Sequence, residues 1–407
     1  MDSLSKIMES PGAAITTTTT SCSSHDRGGA HVLLVPLPSQ GHMNPMLQFG
    51  RRLAYRGLRP TLVTTRYVLS TSPAAGEPFP VAAISDGFDD GGMASCSDPV
   101  ERRAAVVVYD PHMPWARGVA SAAGVPTAVR GGAGIYPQYR KVSIRQFDGI
   151  EHADDVFINS FRDLEPQEAE YMETTWRAKT IGPSLPSFFL DDGRLPSNKT
   201  YGVDFFSSSA PAMEWLDKQP LCSVVLASYG TVYSLDANQL DELGNGLCNS
   251  GKPFLWVVRP DEAQKLSEDV RDKCRQKGHI VSWCPQIEVL AHKATGCFLT
   301  HCGWNSTTEA IVAGVPMVAM PRSADQPTTA KYVESVWGMG LPMRLDEKGF
   351  LRREEVERCI REVMDGERKK EYKQNAEKWM EKAKQAMQEG GSSDKNIAEF
   401  AAKYLSD

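Results

Sequence analysis

The sequence predicts an α/β fold of two doubly wound domains, and three observations predict it. Short apolar runs alternate with amphipathic stretches of helical period, which is the pattern of a parallel sheet covered on both faces. That alternation stops in a Pro-, Ser- and Gly-rich stretch near the middle and then restarts. At 407 residues the chain is long enough for two cores.

Taken in order, residues 31–37 read as a first strand, followed by the loop Pro38-Ser39-Gln40-Gly41-His42-Met43-Asn44-Pro45 and a helix over 46–55. Pro45 is expected in the first turn of that helix, where a missing N–H costs nothing. Residues 61–65, 104–109 (running into Asp110) and 155–159 supply further strands. Residues 1–29, with Thr16 to Thr20 in a row, read as a disordered tail. Residues 30–183 form the expected N-terminal domain and 184–212 the linker. Residues 213–388 form the second domain and 389–407 a closing helix announced by Gly390-Gly391-Ser392-Ser393-Asp394. Within the second domain, 223–228 is a strand, Tyr229-Gly230-Thr231 a turn, and 236–248 a helix with Leu240, Leu243 and Leu247 on one face. Strands at 254–258, 297–300 and 315–320, a helix at 305–313 and two solvated helices within 352–388 complete it.

Composition excludes several classes of function. The formal net charge of -6 provides no general basic footprint for nucleic acid. Nine scattered cysteines without a C-x-x-C pair argue against a zinc site or a disulfide framework and for reduced thiols. No apolar run approaches about 18 residues, and the N-terminus has acids where a signal sequence has an apolar core. A soluble, cytoplasmic monomer with no membrane and no nucleic-acid partner is the expectation. Two motif-like stretches are set aside. Gly246 to Lys252 resembles a phosphate loop, but Pro253 stands where Ser or Thr must bind magnesium; Gly131-Gly132-Ala133-Gly134 lacks the spacing of a dinucleotide fingerprint.

The most informative stretch runs from Trp283 to Gln326. A strand meets a helix through His301-Cys302-Gly303-Trp304, and the free amides of a helix start, with its positive dipole end, form an anion site. His301, Asn305 and Ser306 add donors, Trp283 offers a flat face for a nucleobase, Glu309 an acceptor for a ribose diol, and Asp325 beside Gln326 partners for sugar hydroxyls. This stretch closely resembles the signature box of plant family 1 UDP-glycosyltransferases, from its opening tryptophan to its closing Asp-Gln pair. The resemblance implies the GT-B fold, two Rossmann-like domains facing a cleft, with the last helix returning to the N-terminal domain. It implies that Trp283 stacks on uracil and that the Cys284 backbone and Gln286 hold uracil and ribose, with Glu309 on the ribose hydroxyls. His301, Trp304, Asn305 and Ser306 would surround the diphosphate, while Asp325 and Gln326 would hold the sugar. A final Gln implies UDP-glucose; one departure is Ser323, where the family usually has Trp or Phe.

Transfer of a sugar to a hydroxyl needs a base, and histidine is the side chain most easily poised for it near neutral pH. His42, in a segment resembling the family's N-terminal catalytic loop, is the candidate base, and Asp110 resembles its orienting partner. The leaving UDP would be stabilised by the helix start at 303–306 and by the turn at Ser228 to Thr231, without a metal or other cofactor. Inverting transfer of glucose to a hydroxyl or carboxyl of a small apolar plant metabolite or toxin is the expected reaction. Compared with that family, the N-terminal half is short between Gly87 and Ser97 and after Val129, where relatives build much of the acceptor pocket. The alternative expectation is therefore a UDP-sugar-binding remnant with little activity.

Overall fold

The computed structural model describes residues 29–71, 79–84, 106–109, 127–131, 150–190, 192–196, 198–199, 201–202, 211–231 and 234–405. Asp110, the tail over 1–28, the Gly131 to Gly134 run beyond Gly131 and residues 203–210 of the expected linker lie outside the described residues. A first sheet is built from β1 (His31–Val35), β2 (Arg59–Thr65), β3 (Val81–Ile84), β4 (Val106–Tyr109), β5 (Thr127–Gly131), β6 (Asp155–Ile158) and β7 (Ala178–Thr180). Its spatial order is β3-β2-β1-β4-β5-β6-β7, with every pairing parallel. Helices α1 (Gln40–Tyr55), α2 (Arg66–Thr71) and α3 (Pro166–Trp176) accompany it.

The second sheet repeats the plan in the order β10-β9-β8-β11-β12-β13, again all parallel. Its strands are β8 (Val224–Ser228), β9 (Phe254–Val257), β10 (Gly278–Val281), β11 (Thr295–Thr300), β12 (Met317–Ala319) and β13 (Gly340–Pro342). The helices are α4 (Pro211–Asp217), α5 (Ala237–Asn249), α6 (Pro260–Ala263), α7 (Glu268–Lys277), α8 (Gln286–Leu290), α9 (Trp304–Ala313), α10 (Gln326–Lys331), α11 (Arg353–Asp365), α12 (Lys369–Met387) and α13 (Ser392–Lys403). All five residues of β8 are buried, as expected of a strand covered on both faces. Strand order reverses beside β1 and β4 in one sheet and beside β8 and β11 in the other, which opens a crevice at the carboxyl ends of those strands.

One expected boundary is corrected. The first helix begins at Gln40, six residues before the expected start, because Ser39 is extended (φ -137, ψ 148) and the chain turns helical directly after it. Pro45 therefore lies inside the helix rather than in its first turn. The helix tolerates it because Met43, Met46, Leu47, Phe49 and Leu53 bury an apolar face that does not depend on one backbone hydrogen bond. The described part of the expected linker is packed rather than loose: Phe189 and Leu190 are buried, and Asp192 accepts from Arg52 of α1 at 2.9 Å.

α13 crosses back onto the first sheet. Ser393 Oγ donates to Gly182 O at 2.6 Å and Asn396 Nδ2 to Thr180 O at 2.8 Å, while Lys403 pairs with Asp155 at 2.8 Å. Phe400 meets Phe157 edge-on with 4.9 Å between ring centroids and lies 6.3 Å from Phe49. Among the described residues no helix is long and apolar enough to cross a membrane.

Candidate active site

β11 ends at Thr300, and Cys302 then takes a left-handed conformation (φ 61) that few side chains adopt. Its amide donates to Thr300 Oγ1 at 3.2 Å, and Gly303 follows as the N-cap of α9. This kink seats the His301 imidazole between two glycines. A Cβ on Gly230 would come within 2.7 Å of His301 Nε2, and one on Gly303 within 2.4 Å. Gly230 also has φ +84, so it answers two demands at once. His301 Nδ1 is buried without a hydrogen-bond partner. Burial holds the imidazole pKa down to about 4, so the ring is neutral at pH 7 and keeps one N–H to donate.

The next turn of α9 meets α8. Gln286 Nε2 donates to Ser306 Oγ at 3.0 Å and to Glu309 Oε2 at 2.8 Å, which brings three candidate residues into one hydrogen-bonded group. Burial pushes the Glu309 carboxyl up to about 8, against the opposing pull of the Gln286 bond. The Cys284 thiol is buried too and is raised to about 12 by burial, with the nearby Glu309 charge adding to it. Trp283, half-buried, opens this side of the crevice from the segment after β10.

Beyond β12, Ala324 is left-handed (φ 65) and Asp325 begins α10 with no side-chain cap bond. Burial raises the Asp325 carboxyl to about 6. Gln326 Oε1 accepts from Arg322 N at 2.9 Å and Ser323 N at 3.2 Å, so its carbonyl braces the loop and its NH₂ is the part left for a ligand. On the other side Ser228 pairs with Thr300 across β8 and β11, and the exposed Thr231 follows. The turn between them is braced by Glu262, which sequence reasoning missed. It is fully buried and accepts from Tyr229 OH at 3.0 Å, Leu235 N at 2.8 Å and Arg259 Nε at 3.1 Å.

The two halves meet at the start of α9. Asn305 Nδ2 donates to Gly41 O at 2.7 Å, one residue from His42 in the first turn of α1. Trp304 Nε1 donates to Asn159 O at 2.6 Å, so its indole N–H is directed to the end of β6 while its backbone amide stays at the helix start. Asn159 in turn accepts Ser184 N on its Oδ1 at 2.8 Å. Trp337 Nε1 adds a bond to Leu164 O at 3.1 Å. Such partners in another domain carry no local signal in the sequence. Asp110 lies outside the described residues. Among the described residues there is no group of three His, Cys, Asp or Glu side chains placed to hold a metal ion.

Residues 213–382 match the family model for UDP-glucoronosyl and UDP-glucosyl transferases. UDP-glucosyltransferase UGT13248 of Hordeum vulgare is 56% identical over 474 residues, covering 98% of this chain and the whole of the barley protein. The chain belongs to the plant family 1 UDP-glycosyltransferases. The glycosyltransferase also superposes with TM-score 0.87 on Os79 of O. sativa in complex with UDP, at 58% identity over 92% of this chain and all of that one. A second Os79 structure, with U2F and a trichothecene, gives TM-score 0.82 at 57% identity over the same shares. The two-sheet architecture of this glycosyltransferase is accordingly the GT-B fold. Because 98% of 407 residues is about 399, the 474-residue barley alignment leaves about 75 positions with no counterpart in this chain.

Proposed function

We propose that this glycosyltransferase transfers glucose from UDP-glucose to a hydroxyl or carboxyl of a small apolar plant metabolite or toxin, with inversion. The contact of Asn305 with Gly41 carries the proposal, because it sets the turn bearing His42 directly against the turn that would receive the diphosphate. His42 takes the acceptor proton as the acceptor oxygen attacks the anomeric carbon, and Asp110 orients and stabilises the resulting imidazolium. The bond to UDP breaks in the same displacement. The departing diphosphate gains the amide dipoles of α9, the His301 N–H, the Trp304 backbone, Asn305 and Ser306, with the 228–231 turn opposite; no metal is needed.

Trp283 stacks on the base, the Cys284 backbone and Gln286 hold uracil and ribose, and Glu309 takes the ribose hydroxyls. Asp325 and the Gln326 NH₂ hold the sugar. Attack from the face opposite UDP converts an α-linked donor into a β-glucoside. The trichothecene in an Os79 complex supports compact terpenoid toxins as acceptors. Cytoplasmic location and a monomeric state complete the proposal. Incubation with UDP-glucose and a panel of trichothecenes and phenolics, with the anomeric coupling of the product read by NMR, tests it. A β-glucoside supports the proposal, and an α-glucoside or no conjugate overturns it.

One observation favours a second reading. The roughly 75 aligned positions absent here, which the sequence places in the acceptor half, fit a UDP-sugar-binding remnant. Calorimetric UDP binding without turnover on the whole panel would select that reading.

A further inference from the structure

In an α-helix the amide of residue 45 would donate to the carbonyl of residue 41, but Pro45 has no N–H and its ring crowds that carbonyl. The carbonyl thus denied its helical partner is Gly41's, and it is the one that accepts Asn305 Nδ2 from the other half of the molecule. Gly41 leaves room for the contact: a Cβ there would stand 3.4 Å from Asn305 Nδ2. His42 is the next residue along the same turn. The Asn305 amide carries two hydrogens, so one can stay on Gly41 while the other faces the diphosphate position at the start of α9.

From this geometry we propose that Pro45 is a positioning residue, which keeps the Gly41 carbonyl out of the helical ladder and so commits it to Asn305, coupling donor occupancy to the placement of His42. The proposal rests on the roles given above to His42 and Asn305. It explains a proline deep inside a helix as a device: the bond lost from α1 reappears across the cleft. Whenever UDP fixes the Asn305 side chain, the turn carrying His42 is fixed with it.

Pro45→Ala tests the proposal, because it restores an N–H that recaptures Gly41. The expected result is a melting temperature that holds or rises, a kcat lowered at least tenfold, and a KM for UDP-glucose moved less than threefold. On an Asn305→Ala background the same substitution should cost nothing more, since the link is already gone. A fall in melting temperature with activity lost in proportion, an unchanged kcat, or losses that multiply in the double variant would overturn the proposal. Hydrogen exchange over residues 40–49 reads the coupling without turnover: UDP should slow exchange there in the wild type and not in Pro45→Ala. Lack of protection by bound UDP in the wild type would sink the coupling, whereas protection without turnover would sink only the transfer reaction.

Discussion

Glu309 shows how one side chain ties stability to the site. Its folded pKa of about 8 lies above the ordinary value of 4.5, so between those pH values the folded chain keeps a proton that the unfolded chain releases. Stability contributed by the protonated form is complete below about pH 4.5 and is lost as pH rises through 8. Glu309→Gln keeps an acceptor for Gln286 and removes the buried charge. It should raise stability most near pH 8.5, by on the order of 5 kcal/mol, with the gain fading toward pH 5; melting temperatures across that range check it, and a gain independent of pH contradicts it. Glu309, Ser306 and Gln286 were legible in the sequence because they lie in one short motif. Glu262 was not, since its partners Tyr229, Leu235 and Arg259 come from separate segments and nothing local marks a glutamate as buried.

At the scale of elements, α9 has a structural duty beside its proposed place at the diphosphate. Its first residue reaches Asn159 and its second reaches Gly41, so the start of the helix is also the joint between the halves. Trp304→Phe keeps an aromatic side chain, smaller than the indole, and removes the donor, leaving the Asn159 carbonyl without its partner. A loss of about 1–2 kcal/mol in stability is expected from one partly buried hydrogen bond. Fluorescence-monitored urea unfolding together with UDP calorimetry should show that loss with UDP affinity held within about threefold, because the backbone amide of residue 304 is unchanged. β8 and α9 could be read closely from apolar runs and periodicity, whereas β3, β5, β7, β10 and β13, three to five residues each, carry too short a pattern and went unread. α1 could not, because Pro45 suggested a helix start and the burial that holds the earlier turn together is tertiary.

For the whole molecule, the repeated sheet plan places both crevices face to face, and α13 with the ion pairs around Asp192 and Asp394 fastens the arrangement. Arg52 and Arg194 meet Asp192, while Arg194 and Arg56 meet Asp394, joining α1, the linker and α13. Pairs such as Arg52–Asp192 and Arg56–Asp394, 140 and 338 positions apart, leave no pattern in a single sequence, although the apolar spacing of Ile397, Phe400 and Ala401 did reveal the helix itself. Ending the chain at Gly391 should uncover Phe49 and Phe157 and cost more than about 3 kcal/mol from the Phe400 contacts alone. Aggregation on size-exclusion chromatography, or loss of cooperative melting, is the expected outcome, and a monomer melting as the full chain does contradicts it.

The proposed role of His42, set against the start of α9 by Asn305, is that of the base on which turnover depends. Its most direct test is acceptor-dependent UDP release from UDP-glucose by the wild type and by His42→Ala, with UDP affinity measured for both. Release that falls at least a hundredfold in the variant, at unchanged UDP affinity, is the predicted result. Equal release from both proteins, or none from a wild type that binds UDP, would contradict that role.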